Sequence, residues 1–227
     1  MLEVKNLYKI YNNGKRSLNV LKGVNLKINK GDFLAILGPS GAGKSTLLHL
    51  LGGLDSPTEG EIIFEGQNLK SVSDQKLSLI RNRRMGFIFQ FYHLLPEFNV
   101  LENVLLPVMI RSNRKPEIKD YRKKALELLK IVGLKERMDH FPSELSGGEQ
   151  QRVAIARSLI NSPDIIFCDE PTGNLDSQNS LNFLKLLERL NRDTKITILI
   201  VTHNSEVAKY AKRIFYMRDG MLSSNFF

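Results

Sequence analysis

The chain has 227 residues, 42% of them hydrophobic, which is enough to bury the core of one large domain or of a domain with a lobe and excludes a disordered polymer. Its 33 basic and 24 acidic residues give a net charge of +9, concentrated in segment 111–137, where ten Lys/Arg stand against four Asp/Glu. The single cysteine, Cys168, excludes an internal disulfide, and its place in the apolar run IIFC predicts a buried small hydrophobe rather than a reactive thiol.

From the first residue onward, positions 1–32 alternate apolar and polar side chains (LEVKNLYKIY, NVLKGVNLKI) with Asn-Asn-Gly and Lys-Gly punctuation, predicting antiparallel strands joined by turns. An acidic residue at position 3 and the lack of an apolar stretch there predict no secretory signal. FLAIL (33–37) is the first of four short runs that are apolar throughout, as strands buried on both faces of a parallel sheet are. GEIIFEGQNL (60–69) returns to alternation, and GFIF (86–89) is the second apolar run. From about Phe91 to Leu159 the spacing becomes helical, most clearly in DYRKKALELLKIVGL, and predicts an inserted helical lobe. IIFC (165–168) and ITILIV (196–201) complete the set of buried strands. The expected layout is a single α/β domain: a mixed-sheet core with an antiparallel β subdomain from 1–90 and 160–227, and a helical lobe from 91–159. The longest apolar stretches, such as VLLPVMI (104–110), fall well short of the roughly 20 residues a membrane span needs, so a soluble chain with no span is expected.

The residues just past each buried run carry the chemistry. In open α/β sheets ligands sit beyond the carboxyl ends of the strands. The first run leads into Gly38, the second into Gln90, the third into Asp169 and Glu170, the fourth into Thr202 and His203. Gly38-Pro39-Ser40-Gly41-Ala42-Gly43-Lys44-Ser45 fits G-x-x-x-x-G-K-[ST], in which glycines let backbone N–H groups converge on phosphate oxygens and the lysine reaches the outer phosphates. Ser45 is expected to put its hydroxyl on Mg²⁺ and Thr46 to donate to an inner phosphate. Adjacent carboxylates at the end of a buried strand are costly without a task; one, Asp169, is read as holding the metal and the next, Glu170, as the general base. His203 is placed near the terminal phosphate and the attacking water, and Gln90 is read as a sensor of metal and water.

A second cradle lies about a hundred residues on. LSGGEQQRVAIARSL puts Ser146, Gly147 and Gly148 at the start of an amphipathic helix, offering a hydroxyl, two backbone N–H groups and the positive end of the helix to one anion. No lysine comes after the glycines, so this motif cannot assemble a magnesium nucleotide site alone; the economical reading is that it completes a site begun by another copy of the chain in a two-fold dimer. An ordinary N-capped helix is the competing reading. The basic segment 111–137 is compatible with nucleic acid, anionic lipid, an acidic partner or a solvated helix face.

In this order and over essentially the whole chain, these motifs resemble those of the ATP-binding-cassette ATPases. The resemblance implies a P-loop fold of that type, an ATP hydrolase using ATP and Mg²⁺, and a head-to-tail homodimer around two ATP molecules. It makes Gly38–Thr46 the Walker A loop, Gln90 the Q-loop and Asp169-Glu170 the end of Walker B. Leu145, Ser146, Gly147, Gly148, Glu149 and Gln150 become the signature facing the partner's ATP, in the form LSGGEQ where LSGGQ is commoner. Asn174, Leu175 and Asp176 become the D-loop and His203 the switch histidine. Tyr11, an ordinary strand residue by pattern, becomes the aromatic that stacks on adenine.

Narrower wording, PTGNLD, LLGGLDSPTEGEI and SLIRNRRMGFIFQFYHLLPEFNVLENVLLPVMI, is similar to ATPases of the macrolide-exporter, cell-division and lipoprotein-releasing group, and within it FYHLLPEFNVLENV (91–104) and RMDHFPSELSGGE (137–149) most resemble the last. That implies integral permease subunits as partners, the cytoplasmic face of a bacterial inner membrane as location, and a permease-binding groove near Phe91, Tyr92, Leu94 and Leu95. A macrolide or peptide exporter and a cell-division signalling complex remain alternatives. A cassette ATPase acting on nucleic acid or ribosomes is the rival of another class; the long coiled-coil insertion and paired cassettes usual there are missing, so no nucleic-acid partner is expected. His49, His93 and His140 show no metal-site spacing.

Overall fold

The computed structural model describes residues 1–14, 16–111 and 115–225, and the side chains at 13, 16, 111 and 115–119 are outside the description as well. The amino-terminal part of the basic segment 111–137 therefore lies outside the described residues.

Strands β1 (Leu2–Asn13), β2 (Arg16–Ile28), β4 (Glu59–Phe64) and β5 (Gln67–Asn68) form an antiparallel sheet in the order β2-β1-β4-β5. Leu2, Val4 and Leu7 all turn inward, Val4 and Leu7 at a spacing of three because an irregularity with Asn6 at φ +47 resets the alternation between them. A second sheet contains β3 (Phe33–Leu37), β6 (Met85–Phe89), β7 (Ile165–Asp169), β8 (Thr197–Thr202), β9 (Arg213–Arg218) and β10 (Met221–Ser223) in the order β10-β9-β3-β8-β7-β6. All its neighbours are parallel except the β9–β10 edge pair. The two sheets are tied by the Lys22 amide bonding the Gly220 carbonyl at 2.9 Å.

The apolar runs are buried on both faces for the reason their composition predicts. Side chains alternate across a strand, so Ile166, Cys168, Ile198 and Ile200 enter one core while Ile165, Phe167, Leu199 and Val201 enter the other. The second core is closed by the antiparallel sheet and by helix α1 (Lys44–Leu51). The first is closed by helices α3 (Val100–Arg111), α4 (Lys115–Ile131), α5 (Gly147–Leu159) and α6 (Ser177–Thr194). Burial pushes the Cys168 thiol far up, consistent with the inert hydrophobe expected of it.

Helix α2 (Asp74–Arg84), between the sheets' contributions, was not legible as a helix: none of its residues is buried, so it carries no apolar stripe. Its local signals are a Ser73 cap that accepts from the Lys76 amide and three arginines in the last turn, where cations suit the helix dipole. It runs straight into β6. The helices α3 to α5 leave the sheet after β6 and return at β7, where the Arg84 side chain pairs with Asp164 and the Asp164 amide bonds the Arg84 carbonyl at 2.9 Å. A short helix α7 (Ser205–Ala208) comes after β8. Among the described residues no helix is long and apolar enough to cross a membrane.

Candidate functional site

Sheet register brings the motif residues to one edge. Leu37 lies opposite Thr202, Val201 opposite Asp169, and Asp169 opposite Phe89. The next residue of each strand, Gly38, His203, Glu170 and Gln90, therefore emerges at the same carboxyl edge. Two bonds hold the exits together: the Gly38 amide to the Thr202 carbonyl at 3.2 Å and the Glu170 amide to the Val201 carbonyl at 3.0 Å.

The loop at 38–46 wraps the start of α1. Gly43 caps that helix at φ +103, a conformation that excludes nearly every side chain, and no side chain takes the cap hydrogen bonds. Gly38 is required for a different reason: a Cβ there would stand 2.1 Å from the Met217 carbonyl oxygen of β9. Lys44, only 6% exposed, folds back on its own loop and donates to the carbonyls of Gly38 at 2.8 Å and Pro39 at 3.0 Å, with Glu170 Oε1 at 3.5 Å. Its ammonium is thus parked inside the cradle, next to a hollow of about 170 Å³ bounded by Gly41, Gly43, Ser45 and Thr46.

Across the edge, the Ser45 hydroxyl donates to Asp169 Oδ1 at 2.9 Å. Burial raises the Asp169 carboxyl above its ordinary value; the Ser45 bond and nearby His49 only partly offset it. A desolvated carboxylate beside a serine hydroxyl is the hard-oxygen donor set that magnesium accepts when phosphate oxygens and water supply its remaining ligands. Among the described residues no group of three or more His, Cys, Asp or Glu is arranged to hold a metal by itself, so a cation here depends on a phosphate-bearing ligand. Residues and magnesium nucleotide fit one another.

Glu170 is held tightly. It sits at φ +43, a left-handed conformation a glutamate adopts rarely. Its Oε2 accepts from the Thr202 hydroxyl at 3.1 Å and the His203 amide at 3.3 Å, while Oε1 stands 3.0 Å from His203 Nδ1. Three groups from the end of β8 thus aim one carboxylate, and a hollow of about 620 Å³ opens beside it and Gln90. Gln90 itself turns to Asn174: its amide donates to Asn174 Oδ1 at 3.3 Å, and the Asn174 amide donates to the Gln90 carbonyl at 3.1 Å. In this conformation the expected metal sensor contacts the D-loop rather than Ser45 or Asp169. Leu175 packs against the core, and Asp176 caps α6 by accepting from the Asn179 amide at 2.8 Å, a bond that holds its carboxyl below the ordinary range.

Ser146 caps α5 in a full capping box. Its hydroxyl accepts from the Glu149 amide at 3.3 Å and donates to Glu149 Oε2 at 2.9 Å, and that oxygen also accepts from the Ser146 amide at 2.9 Å. The Ser146 backbone bond holds the Glu149 carboxyl below its ordinary value, helped by Arg137. Gln150 donates to the carbonyls of Pro142 and Leu145 at 3.0 and 3.2 Å, and Leu145 is buried. Gly147 lies under the Tyr92 hydroxyl and Gly148 under the Asn179 side chain. The signature thus packs against the post-Gln90 segment and the start of α6, and contacts of its own chain do not bring it to the phosphate loop.

Tyr11 is 42% exposed and anchored at its edge: its hydroxyl donates to Asp55 Oδ2 at 2.7 Å, and the Thr46 side chain lies against it. Sequence reasoning gave no role at this edge to three residues, His49, Lys9 and Asp55. His49 Nε2 stands 3.9 Å from Asp169 Oδ2, and its spacing of four from Ser45 put both on one face of α1. Lys9 and Asp55 flank Tyr11; Lys9 shares its strand face at a spacing of two, whereas Asp55 offered no local signal.

The chain has well-documented relatives. The family model described as ABC transporter matches residues 21–173. The ATP-binding cassette MJ0796, solved as a dimer in a post-hydrolysis state bound to ADP and Pi, is 42% identical over 100% of both chains with a TM-score of 0.88. A second dimeric structure of MJ0796, described as a bacterial ABC transporter cassette, matches equally well. CbiO1 from Clostridium perfringens, part of the transporter complex CbiONQ, is 30% identical over 97% of this chain and 86% of its own, with a TM-score of 0.84. With the P-loop, the paired carboxylates and the signature helix in the same fold, the chain belongs to the ABC transporter family and is one of its ATP-hydrolysing cassettes.

Proposed function

We propose that the chain is the magnesium-ATP-hydrolysing subunit of a bacterial inner-membrane transporter that releases lipoproteins toward the outer membrane. It acts as an ATP-dependent homodimer bound to permease subunits at the cytoplasmic face. The observation that carries the dimer is the division of the site: Lys44, Ser45, Asp169 and Glu170 share one edge, while Ser146 heads a helix whose cap is bonded to Glu149 of its own first turn. The dimeric structures of MJ0796 support the same reading. The lipoprotein assignment rests on the wording of the sequence around residues 91–104 and 137–149.

When bound, magnesium ATP supplies the phosphoanhydride to be cleaved and a cation that offsets its charge. The chain's own residues do the rest by position. Lys44 would exchange its two carbonyls for phosphate oxygens, and Ser45 and Asp169, with Gln90 once it is released from Asn174, would hold the cation. Glu170, aimed by Thr202 and His203, takes the proton of the attacking water. Tyr11 carries the adenine, and Ser146 with Gly148 covers the terminal phosphate bound by the partner subunit.

A groove of about 400 Å³, walled by Leu54, Phe87, Phe89, Leu106, Pro107 and Ile110, is the seat for a cytoplasmic helix of the permease. Of the segment after Gln90, for which the resemblance implies a part in the permease groove through Phe91, Tyr92, Leu94 and Leu95, His93 lines this cavity, while Phe91 is 67% exposed and Leu94 packs against the core. Arg157 from α5 closes one end and donates to the carbonyls of Tyr92 and His93 at 2.6 and 2.5 Å, which links the groove to the segment after Gln90. Burial brings its guanidinium down to about 10.

Isolation from detergent-treated membranes with a tag on this chain tests the proposal. Integral subunits should co-purify, and acylated lipoprotein should stimulate hydrolysis by the complex. Purification free of integral proteins, or with salt-sensitive nucleic acid instead, would overturn it.

A further inference from the structure

The environment of Tyr11 contains more than an exposed ring. Lys9 is one of two buried cations among the described residues, 9% exposed, on the same face of β1 as Tyr11. Its ammonium donates to Asp55 Oδ1 at 2.8 Å and to the Ser56 carbonyl at 2.7 Å, and lies 4.6 Å from the centroid of the Tyr11 ring. The other Asp55 oxygen accepts the Tyr11 hydroxyl at 2.7 Å, and the Ser56 amide donates to Asp55 Oδ1 at 2.6 Å. The chain 55–56, arriving from the far end of α1, therefore fixes both the cation and the ring edge.

Such an arrangement does two physical things. A cation over one face of an aromatic ring draws electron density toward itself and holds the ring in plane, so the ring's remaining face meets an incoming base pre-oriented. The phenol is tied at its only polar atom, which removes the rotamer freedom a surface tyrosine would otherwise lose on binding. Burial raises the Tyr11 phenol, and the bond to Asp55 adds to the effect, so the ring stays neutral and the hydroxyl stays a donor.

We propose that Lys9 and Asp55 are positioning residues for nucleotide binding, acting only through Tyr11: they hold the aromatic platform for the base and touch no phosphate. The proposal rests on the reading of Tyr11 as the adenine platform and extends it to the residues behind the ring.

Steady-state hydrolysis by the full chain, with inhibition by magnesium tripolyphosphate, separates the possibilities. Tripolyphosphate has no base, so it samples the phosphate loop alone. Lys9→Met, which keeps the apolar stem, should raise the KM for ATP about three- to ten-fold while leaving kcat within about twofold and the tripolyphosphate inhibition constant unchanged. Asp55→Asn should do the same to a similar extent, and Lys9→Arg should restore most of the affinity. In a Tyr11→Ala background, itself raised about tenfold in KM, adding Lys9→Met should have no further effect. Equal losses for ATP and tripolyphosphate, or a Lys9→Met effect that persists without Tyr11, would overturn the positioning role. An effect of Tyr11→Ala with none from Lys9→Met or Asp55→Asn would overturn it while leaving the platform intact. No effect of Tyr11→Ala on KM would remove the platform itself.

Discussion

Glu170 occupies a backbone conformation that costs a non-glycine residue of order 1 kcal/mol or more, and the surroundings hold it there through Thr202 and both polar groups of His203. Glu170→Gln keeps the shape and the accepting oxygen but removes the proposed base, so turnover should fall roughly 10²- to 10⁴-fold with ATP affinity retained, measured by phosphate release and by equilibrium nucleotide binding. Asp55 supplies a prediction of a different kind. Burial alone would raise its carboxyl, but the bonds from Lys9, Tyr11 and the Ser56 amide outweigh burial and bring it below its ordinary 3.8. A depressed folded value means the stabilisation is complete above the unfolded value and lost as pH falls through 3.8 and below. The stability difference between the native chain and Asp55→Asn, from urea melts, should therefore be flat near neutrality and shrink only in that acid range. At this scale the sequence was legible where a motif fixes chemistry to spacing, as in Lys44-Ser45 and Asp169-Glu170. It was silent where partners meet only through folding: nothing near Asp55 announces a bond to residues 44 and 46 positions away.

Among the elements, α5 shows how one piece of structure satisfies two readings. The capping box ties Ser146 and Glu149 together and stabilises the helix start by about 1 kcal/mol, which a plain N-cap would also do. An intruding charge separates the two. Ser146→Arg should cost the chain little more than its cap, leave nucleotide binding by the monomer near normal and abolish hydrolysis; undiminished turnover would reduce the signature to a helix start. Burial decides which elements could be foreseen. The four buried strands were evident because burial on both faces demands uninterrupted apolar runs, and α4 because its apolar stripe recurs at helical spacing. Helix α2 stayed hidden because it buries nothing, so its only signals are a serine cap and a basic last turn.

For the whole molecule, the decisive quantity is the number of chains per closed site. Glu170→Gln, loaded with magnesium ATP, should accumulate as a dimer in sizing experiments and revert to monomer when nucleotide is removed. A strictly monomeric profile at saturating nucleotide would contradict the shared site. The register of the parallel strands was implicit in the sequence, since four apolar runs each ending in a polar group can serve one ligand only if their ends align. The side on which Ser146 would lie was not implicit, because that depends on how α5 packs against Tyr92 and Asn179.

The helices between β6 and β7 depart at the carboxyl end of one strand, after Phe89, and rejoin at the amino end of its parallel neighbour, before Ile165, where the Arg84–Asp164 pair fastens the return to the start of β6. An appendage held at two points a strand length apart can turn only about the line that joins them, with the arc taken up by the short stretches after Phe89 and before Ile165. Such a turn leaves the β6–β7 ladder intact, because its bonds lie between the two hinges and not in them.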